Sequence, residues 1–222
     1  MFGKVKKVLG LIALSLSPFA AYASSNQAIE AELVEEQTSD SQVIRSIDNC
    51  YELQESENYG GVAAAVITSN VLLEEENLDQ TSFFNARVRT IVEPSIVRAR
   101  GMELDEVDAS LQSQGLKTDI IYQVTMTGEE LGAIIEESLE NPDCMIIAQY
   151  DQSYVDMHQG VIYGIIVGYD KSSHEVKMMN MHPKQKKFTS LKVSYLLKAM
   201  QALNSDHCPR GFILATPMPS ES

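Results

Sequence analysis

The sequence predicts an α+β domain, with helices in the first half of the chain and a mainly antiparallel sheet in the second half. Three observations indicate this order. Apolar residues recur at helical spacing before Pro142. After Pro142 the pattern changes to short runs rich in Val, Ile, Tyr and Met, which are typical of strands. The polar segment DKSS at 170–173 joins two of these runs as a predicted hairpin.

The first 23 residues have the composition of a secretory signal peptide. Three lysines precede an apolar run from Val8 to Ala20, and Ala21-Tyr22-Ala23 supplies the small-x-small pattern that signal peptidase recognises. An uncleaved membrane anchor is the alternative, but the run is shorter than the roughly 20 apolar residues that a span requires. We therefore predict an exported protein, periplasmic or secreted, with no membrane attachment after cleavage.

Residues 24–42 are polar and acidic, and they are predicted to form a disordered tail because they contain too few large apolar residues to pack. One ordered domain is expected at 43–217, followed by a short tail at 218–222. The chain has a formal net charge of −14, and loss of the three lysines in the signal segment would make it −17. This charge argues against nucleic acid as a partner, because phosphate groups would be repelled.

Within the domain, the first helix is predicted from Gly61 to Leu73, a run of Ala, Val and Leu that an acidic loop ends. Thr81 or Ser82 is expected to cap a short helix. Pro94 is expected to open the next one as its first residue.

The next helix is predicted from apolar residues at helical spacing, namely Met102, Leu104, Val107 and Leu111. Gly115 is expected to end this helix, and a β-rich segment follows at 117–125. The next helix has Thr127 and Glu130 as a capping box and stops at Pro142.

The remaining elements are three strand-like runs, one helix and a last strand. The strand-like runs are CMIIAQYD, GVIYGIIVGYD and HEVKMMNM. The segment SLKVSYLLKAMQAL is predicted to be a helix, and RGFILATP a strand.

The three cysteines are Cys50, Cys144 and Cys208, and an odd count leaves at least one thiol outside any disulfide within the chain. A disulfide between Cys50 and Cys208 is one possibility. Cys144 precedes an apolar run and is expected to be a buried, inert thiol. No spacing of cysteine and histidine indicates zinc.

Two further segments contain side chains that could bind a metal ion. The segment MMNM with Met157 suits Cu(I), but successive strand residues point to opposite faces, so we favour core packing. Asp151, Asp156 and His158 could bind a divalent ion weakly, although a solvated acidic loop is the simpler interpretation. We expect no metal and no cofactor.

Five stretches together resemble a known enzyme family over residues 43–217. They are NYGGVAAAVITSNVL, FFNARVRTIVEPSIVRARGMELDEV, GVIYGIIVGYD, KVSYLLKAM and RGFILATP. In order and spacing they are similar to phytochelatin synthase, which has a papain-like cysteine-peptidase fold. The resemblance implies a glutathione γ-glutamylcysteinyltransferase: a cysteine attacks glutathione, glycine leaves, and the dipeptide passes to a second glutathione. This chemistry requires a thiolate, a histidine, an Asp or Asn that holds the histidine, and a donor for the oxyanion.

The resemblance aligns the family's cysteine with Gly60, its histidine with Ile162 and its aspartate with Asn180. Gln54 lies where papain-like enzymes keep their oxyanion-hole glutamine. A basic residue that helps to bind the γ-glutamyl carboxylate would fall near Pro183, where Lys184, Lys186 or Lys187 could replace it. Neither glycine nor isoleucine can perform the reaction, so no catalytic residue is expected to be intact.

The leading hypothesis is therefore an exported, catalytically inactive homologue whose cleft binds a glutathione-like γ-glutamyl peptide or a protein partner. The ligand-binding candidates are Gly60, Gly61, Gln54, Asn180 and Lys184. His182 is a candidate for the rim of the cleft. A second hypothesis is an active transferase or glutathione hydrolase that uses a displaced His158 or Cys50. A third is a structural or interaction module.

Overall fold

The computed structural model describes residues 46–75, 77–122, 125–154, 160–203 and 210–219, all within the unit from Val43 to Ser222. The predicted signal peptide (1–23) and acidic tail (24–42) lie outside the described residues. No helix in the described ranges is both long and apolar enough to cross a membrane.

Helices dominate the first half of the described chain and strands the second, as predicted. The helices are α1 (Gly60–Leu72), α2 (Val88–Ile91), α3 (Pro94–Arg100), α4 (Leu104–Ser113), α5 (Gly128–Glu140) and α6 (Val193–Gln201), and residues 46–50 are also helical. The strands are β1 (Leu116–Tyr122), β2 (Met145–Asp151), β3 (Val161–Asp170), β4 (Glu175–Asn180), β5 (Phe188–Lys192) and β6 (Gly211–Pro217).

The strands form one sheet in the order β1-β6-β2-β3-β4-β5, and every neighbouring pair is antiparallel. Strands β2 to β5 follow one another as a meander, whereas β6 inserts between β1 and β2. The prediction of an α+β domain with a mainly antiparallel sheet is therefore confirmed.

Helices cover both faces of the sheet, so side chains that alternate along a strand enter two different cores. On β3, Tyr163 and Ile165 join the core that contains α1 and α4. Ile162 and Ile166 join the core that contains α5 and α6. Strand β3 therefore carries buried side chains on both sides, which accounts for its nearly continuous apolar sequence.

Local signals located most helix ends correctly. Thr127 and Glu130 form the predicted capping box of α5. Pro94 is the first residue of α3. Gly115, just beyond α4, has a φ of 99°, the left-handed region that glycine adopts without strain.

Two local predictions were wrong. Strand β5 takes the start of the segment that was predicted to be helical, because Leu191 pairs with Val176 on β4 and the helix begins only at Val193. The hydroxyls of Thr81 and Ser82 cap no helix, since both residues lie in a turn whose backbone N–H groups donate to Oδ1 of Asp79.

Candidate functional site

A pocket of about 60 Å³ opens at the first residue of α1. Its wall comes from the loop before α1, the α3–α4 turn, the start of β3 and the segment after β4. The lining residues are Gln54, Glu57, Asn58, Gly60, Arg100, Gly101, Met102, Val161, Ile162, Tyr163 and His182. The pocket therefore brings together three of the four positions that sequence reasoning assigned to catalysis, namely 54, 60 and 162.

The two glycines at the start of α1 have different surroundings. A Cβ atom at Gly61 would lie 3.0 Å from Cγ2 of Val107 and 3.1 Å from Cε2 of Tyr163, closer than ordinary packing allows. A Cβ atom at Gly60 would lie 3.4 Å from Oε1 of Gln54 and 3.7 Å from the backbone nitrogen of Tyr163, at ordinary contact distances. Gly61 thus permits the close approach of α1 to β3 and α4, whereas position 60 has room for a side chain and has none.

The N-terminus of α1 has no cap. Tyr59, the N-cap residue, makes no side-chain hydrogen bond to the helix, and the first turn contains no acidic residue. The first backbone hydrogen bond runs from the N–H of Ala63 to the carbonyl of Tyr59. The N–H groups of residues 60–62 therefore have no acceptor among the described residues, and the positive end of the helix dipole faces the pocket at Gly60.

Gln54 is held rigidly beside this helix end and is only 9% exposed. Its Nε2 donates to the carbonyl oxygens of Ser56 (2.9 Å) and Glu57 (2.7 Å), and its backbone N–H donates to the carbonyl of Met181 (3.0 Å). These two acceptors fix the orientation of the amide, since the reverse orientation would set its oxygen against two carbonyl oxygens. Oε1 therefore faces position 60 and accepts no hydrogen bond from the described residues.

Ile162 lines the pocket from β3, where it lies opposite Tyr150 on β2. Asn180 pairs with Gly164, two residues further along β3. His182, two residues beyond the end of β4, also lines the pocket. A lining histidine thus lies on the neighbouring chain segment, at the rim position that the sequence suggested.

The amide of Asn180 is engaged in structural hydrogen bonds and is 2% exposed. Its Nδ2 donates to the carbonyl of Lys186 (2.9 Å) and to Oγ1 of Thr189 (3.1 Å). Its Oδ1 accepts from the hydroxyl of Tyr150 (3.5 Å). Asn180 is not part of the pocket lining, and its side chain instead holds the segment that connects β4 to β5.

The charged groups at the rim are largely balanced. Arg100 forms a two-pronged ion pair with Glu106, at 2.6 and 3.0 Å, and this bond raises the pKa of the guanidinium. Glu57 contributes an exposed carboxylate. Nδ1 of His182 accepts a hydrogen bond from the N–H of Lys184 (3.2 Å), so a neutral ring carries its proton on Nε2.

Other sequence candidates lie away from the pocket lining or outside the described residues. Lys184 is exposed and Gly61 is buried under Tyr163, and neither belongs to the lining. Cys50 is half-buried in the helical stretch 46–50. His158 lies outside the described residues.

Lys186 and Lys187, the other two lysines that could replace the family's basic residue, differ in their surroundings. Lys186 is exposed. Lys187 bonds to Asp48 at 2.6 Å, and its Nζ lies 3.9 Å from the ring centre of Tyr51. This contact ties the segment after β4 to the helical stretch before the pocket.

The structure describes some, but not all, of the residues in the cysteine and metal predictions. Burial raises the pKa of the half-buried Cys144 thiol, which agrees with an inert role. Cys208, Asp156, Met157 and His158 lie outside the described residues.

Met178 packs in one core, and Met179 and Met181 in the other, as strand alternation predicted. Asp151 lies 3.4 Å from Arg210, and the described ranges contain no cluster of three potential ligands among His, Cys, Asp and Glu.

Sequence reasoning did not single out the pocket residues Asn58, Arg100 and Tyr163. Arg100, Gly101 and Met102 belong to the segment FFNARVRTIVEPSIVRARGMELDEV that carried part of the resemblance, so that segment was the available signal. Gly101 has a φ of 82°, and a Cβ atom there would lie 3.4 Å from the carbonyl oxygen of Asn58. The segment therefore lets the α3–α4 turn approach the pocket loop.

A helix begins at this pocket and packs on a fully antiparallel sheet, an arrangement that agrees with the papain-like fold that the resemblance implies. The chain belongs to the phytochelatin synthase family, whose sequence model matches residues 14–212. Among solved structures, the crystal structure of the Pseudomonas avirulence protein AvrPphB is a distant match, with 7% identity and a TM-score of 0.32 over 77% of this chain and 97% of that chain. No curated protein sequence matches this chain significantly.

Proposed function

We propose that this protein is a catalytically inactive member of the phytochelatin synthase family that binds a small thiol peptide, such as glutathione, without turnover. The observation that carries the proposal is the composition of the pocket wall, which among the described residues contains no thiol and no aliphatic hydroxyl. Its one phenol, Tyr163, donates to the carbonyl of Met102 (2.8 Å) and accepts from Nε2 of Gln149 (2.7 Å). Burial raises the pKa of this phenol well above its ordinary value, so it is a poor nucleophile.

Each role in the cysteine mechanism lacks a suitable group at the position that the resemblance assigns to it. Gly60 supplies no sulfur, and Ile162 cannot accept a proton. Gln54 directs its amide oxygen, an acceptor, toward position 60, whereas an oxyanion requires a donor. Asn180 has committed its amide to Lys186 and Thr189.

The start of α1 and the amide oxygen of Gln54 instead favour the binding of a ligand. The N–H groups at the start of α1, which have no acceptor among the described residues, attract a carboxylate together with the helix dipole. Gln54 offers a fixed acceptor within the same space. Glutathione carries both carboxylates and N–H donors, so it matches both kinds of group.

The test is titration calorimetry of the purified chain with glutathione and γ-glutamylcysteine, with free glycine measured in the same samples. We expect saturable heat at millimolar ligand and no glycine above the buffer blank. An absence of heat would reject ligand binding. Steady glycine release that disappears in Cys50→Ala or His158→Ala would instead establish an enzyme.

A protein partner remains the alternative occupant of the cleft. Deletion of residues 24–42 separates the two ways of recruiting such a partner. Loss of binding on deletion would assign the partner to the acidic tail, whereas loss of binding in Gly60→Ala alone would assign it to the pocket.

We also propose that the protein is exported and acts outside the cytoplasm. The proposal rests on the basic, apolar and small-x-small segments of the first 23 residues. Expression of the full chain in a bacterial host, followed by N-terminal sequencing of the periplasmic product, should give a chain that begins at Ser24. Recovery of an uncleaved chain in the cytoplasm would reject export.

A further inference from the structure

A groove lies between the end of β1 and helix α5, and it shares no lining residue with the pocket at α1. Its volume is about 490 Å³, and its lining residues are Tyr122, Thr125, Met126, Glu130, Ala133 and Ile134. Tyr122 is 42% exposed, Ala133 is exposed, and Met126 and Ile134 are half-buried. Apolar side chains thus remain in contact with solvent around an open depression, which is typical of a surface that another chain covers.

The groove adjoins an edge of the sheet. Strand β1 stands at one end of the strand order and pairs with β6 alone among the described strands. In an edge strand, alternate residues direct their backbone N–H and C=O groups away from the sheet, where a further strand can pair with them. Tyr122 ends β1 and also lines the groove. An extended segment that pairs with β1 therefore passes the groove and can place an apolar side chain in it.

The surroundings of the groove carry negative charge. From Leu116 to Cys144 the chain contains seven acidic residues and one basic residue, Lys117. Glu130 lines the groove, and the exposed Glu137 lies seven residues further along the same face of α5. Asp119 is exposed on β1. A basic partner is attracted to this surface, and an acidic one is repelled.

A carboxylate also lies beside β1 on the α4 side. Nε2 of Gln112 donates to Oδ2 of Asp108 (3.0 Å) and to Oγ1 of Thr118 (2.9 Å), so the carboxylate is linked to the strand. Oδ1 of Asp108 is buried and accepts no hydrogen bond from the described residues. Side chains of an added strand would alternate between the α5 side, where the groove receives an apolar group, and the α4 side, where Asp108 receives a basic one.

We propose that β1 and the groove bind an extended segment of a partner protein in which apolar and basic residues alternate. The segment adds a strand to the sheet and seats an apolar side chain in the groove. Charge decides against a second copy of this chain, because paired β1 edges would bring two acidic surfaces together in chains of net charge −14. The proposal is independent of ligand binding by the pocket at α1.

The test is an NMR titration of the full mature chain with a peptide of alternating lysine and valine, matched to the seven residues of β1. We expect it to shift the amide resonances of residues 117–122 and 134 saturably, and a glutamate–valine peptide to shift none of them. Two N-methylated versions, one methylated at every valine and the other at every lysine, keep the charge. Because alternate N–H groups of the peptide face β1, at least one version should bind at least tenfold more weakly.

Ala133→Lys and Ala99→Lys form a matched pair of variants. Both alanines are exposed residues of helices, Ala133 in the wall of the groove on α5 and Ala99 on α3. The two substitutions add the same charge and the same side chain, so they change the overall charge equally. We expect the lysine–valine peptide to bind at least tenfold more weakly to Ala133→Lys, where the new side chain occupies the groove and repels the peptide, and equally well to Ala99→Lys.

Three outcomes would overturn the proposal. The first is binding of both N-methylated peptides as tightly as the parent peptide, because strand pairing would then play no part. The second is equal weakening by the two variants, or shifts confined to residues outside β1 and α5, because the attraction would then be general to an acidic chain. The third is a dimer, seen by sedimentation of the chain alone, that Ala133→Lys dissociates and Ala99→Lys does not, because a second copy would then occupy the edge.

Discussion

Oε1 of Gln54 lies 3.4 Å from the position that a Cβ atom would take at Gly60. The amide thus turns its acceptor toward the place where the family resemblance aligns the attacking sulfur. Reversal of the amide would break the two bonds to Ser56 and Glu57, at about 0.5–1.5 kcal/mol each. The loop therefore stabilises a geometry that suits a bound N–H donor better than a developing oxyanion.

An added methyl group should stabilise the fold at Gly60 and destabilise it at Gly61, the two glycines at the start of α1. Gly60→Ala adds a methyl at ordinary contact distances and reduces the entropy of the unfolded chain, so we expect a gain of about 0.4–1 kcal/mol in the free energy of unfolding. In Gly61→Ala the methyl would lie 3.0 Å from Cγ2 of Val107, and we expect a loss of about 1–3 kcal/mol.

Urea unfolding followed by circular dichroism measures both changes, with Gly128→Ala as the control for an unobstructed methyl at the same helix position. Equal stability of the Gly60→Ala and Gly61→Ala chains would show that α1 does not press against Tyr163 and Val107 as described.

A charge at position 180 should reduce the folding stability more than truncation of the Asn180 side chain does. Asn180→Ala removes bonds to Lys186, Thr189 and Tyr150, and we expect a loss of about 1–3 kcal/mol. Asn180→Asp sets a buried carboxylate against the Lys186 carbonyl, which should cost about 3–5 kcal/mol when ionised. The family resemblance expects an aspartate here, but these contacts favour the amide.

The Asn180→Asp loss should depend on pH. Burial raises the folded-state pKa of the introduced carboxyl above its unfolded value, so stability is retained at low pH and lost as the pH rises through the folded pKa. Urea midpoints of this variant at pH 5 and pH 8, each relative to the parent chain, measure the effect. A constant difference at the two pH values would contradict the account.

Elements with local signals were predictable from the sequence. The capping box of Thr127 and Glu130 and the initiating Pro94 depend on neighbours within one turn, and both appear as expected. The apolar run of α1 and the strand pattern of β3 were equally clear because burial imposes them. Strand β5 was missed because its pairing with β4 overrides the helical spacing that continues into α6.

The sequence predicted several of the residues that line the pocket, but not which of their polar atoms face it. Family resemblance pointed to positions 54, 60 and 162, which lie together. The orientation of the Gln54 amide depends on the path of the 55–59 loop, which no residue type encodes. The commitment of Asn180 likewise depends on Lys186 and Thr189, which reach it only through the fold of the segment after β4.

Asp170 should titrate at an unusually low pH. The hydroxyl of Ser172 donates to its Oδ1 (2.7 Å), as do the N–H groups of Ser172 and Ser173, and these bonds lower its pKa to about 2. Because the folded pKa is depressed, the stabilisation of the hairpin is present above the ordinary aspartate pKa and is lost as the pH falls toward 2.

An NMR pH titration of the Asp170 carboxyl carbon checks this value. Ser172→Ala should raise the pKa, whereas Ser190→Ala on β5 should leave it unchanged. Titration of the parent carboxyl at the ordinary aspartate pKa would contradict the hydrogen-bonded turn.

Gly60→Cys should restore a reactive sulfur but not the reaction. Position 60 accepts a side chain at ordinary distances, so we expect iodoacetamide to alkylate the new thiol without loss of folding. Glutathione should still release no glycine above the parent level, because Ile162 supplies no base and Gln54 offers no donor. Loss of a single oxyanion donor alone costs about 10²- to 10³-fold in rate.

Addition of Ile162→His to Gly60→Cys should lower the pKa of the thiol, because both positions line the same pocket. The pH dependence of alkylation measures this shift relative to the single variant, with Gly128→Cys as a thiol on the first residue of another helix. If Gly60→Cys alone released glycine steadily, another group in the pocket would have to move the proton. His182, which also lines the pocket, would be the first candidate, and the account in which the pocket lacks a proton acceptor would need to be replaced.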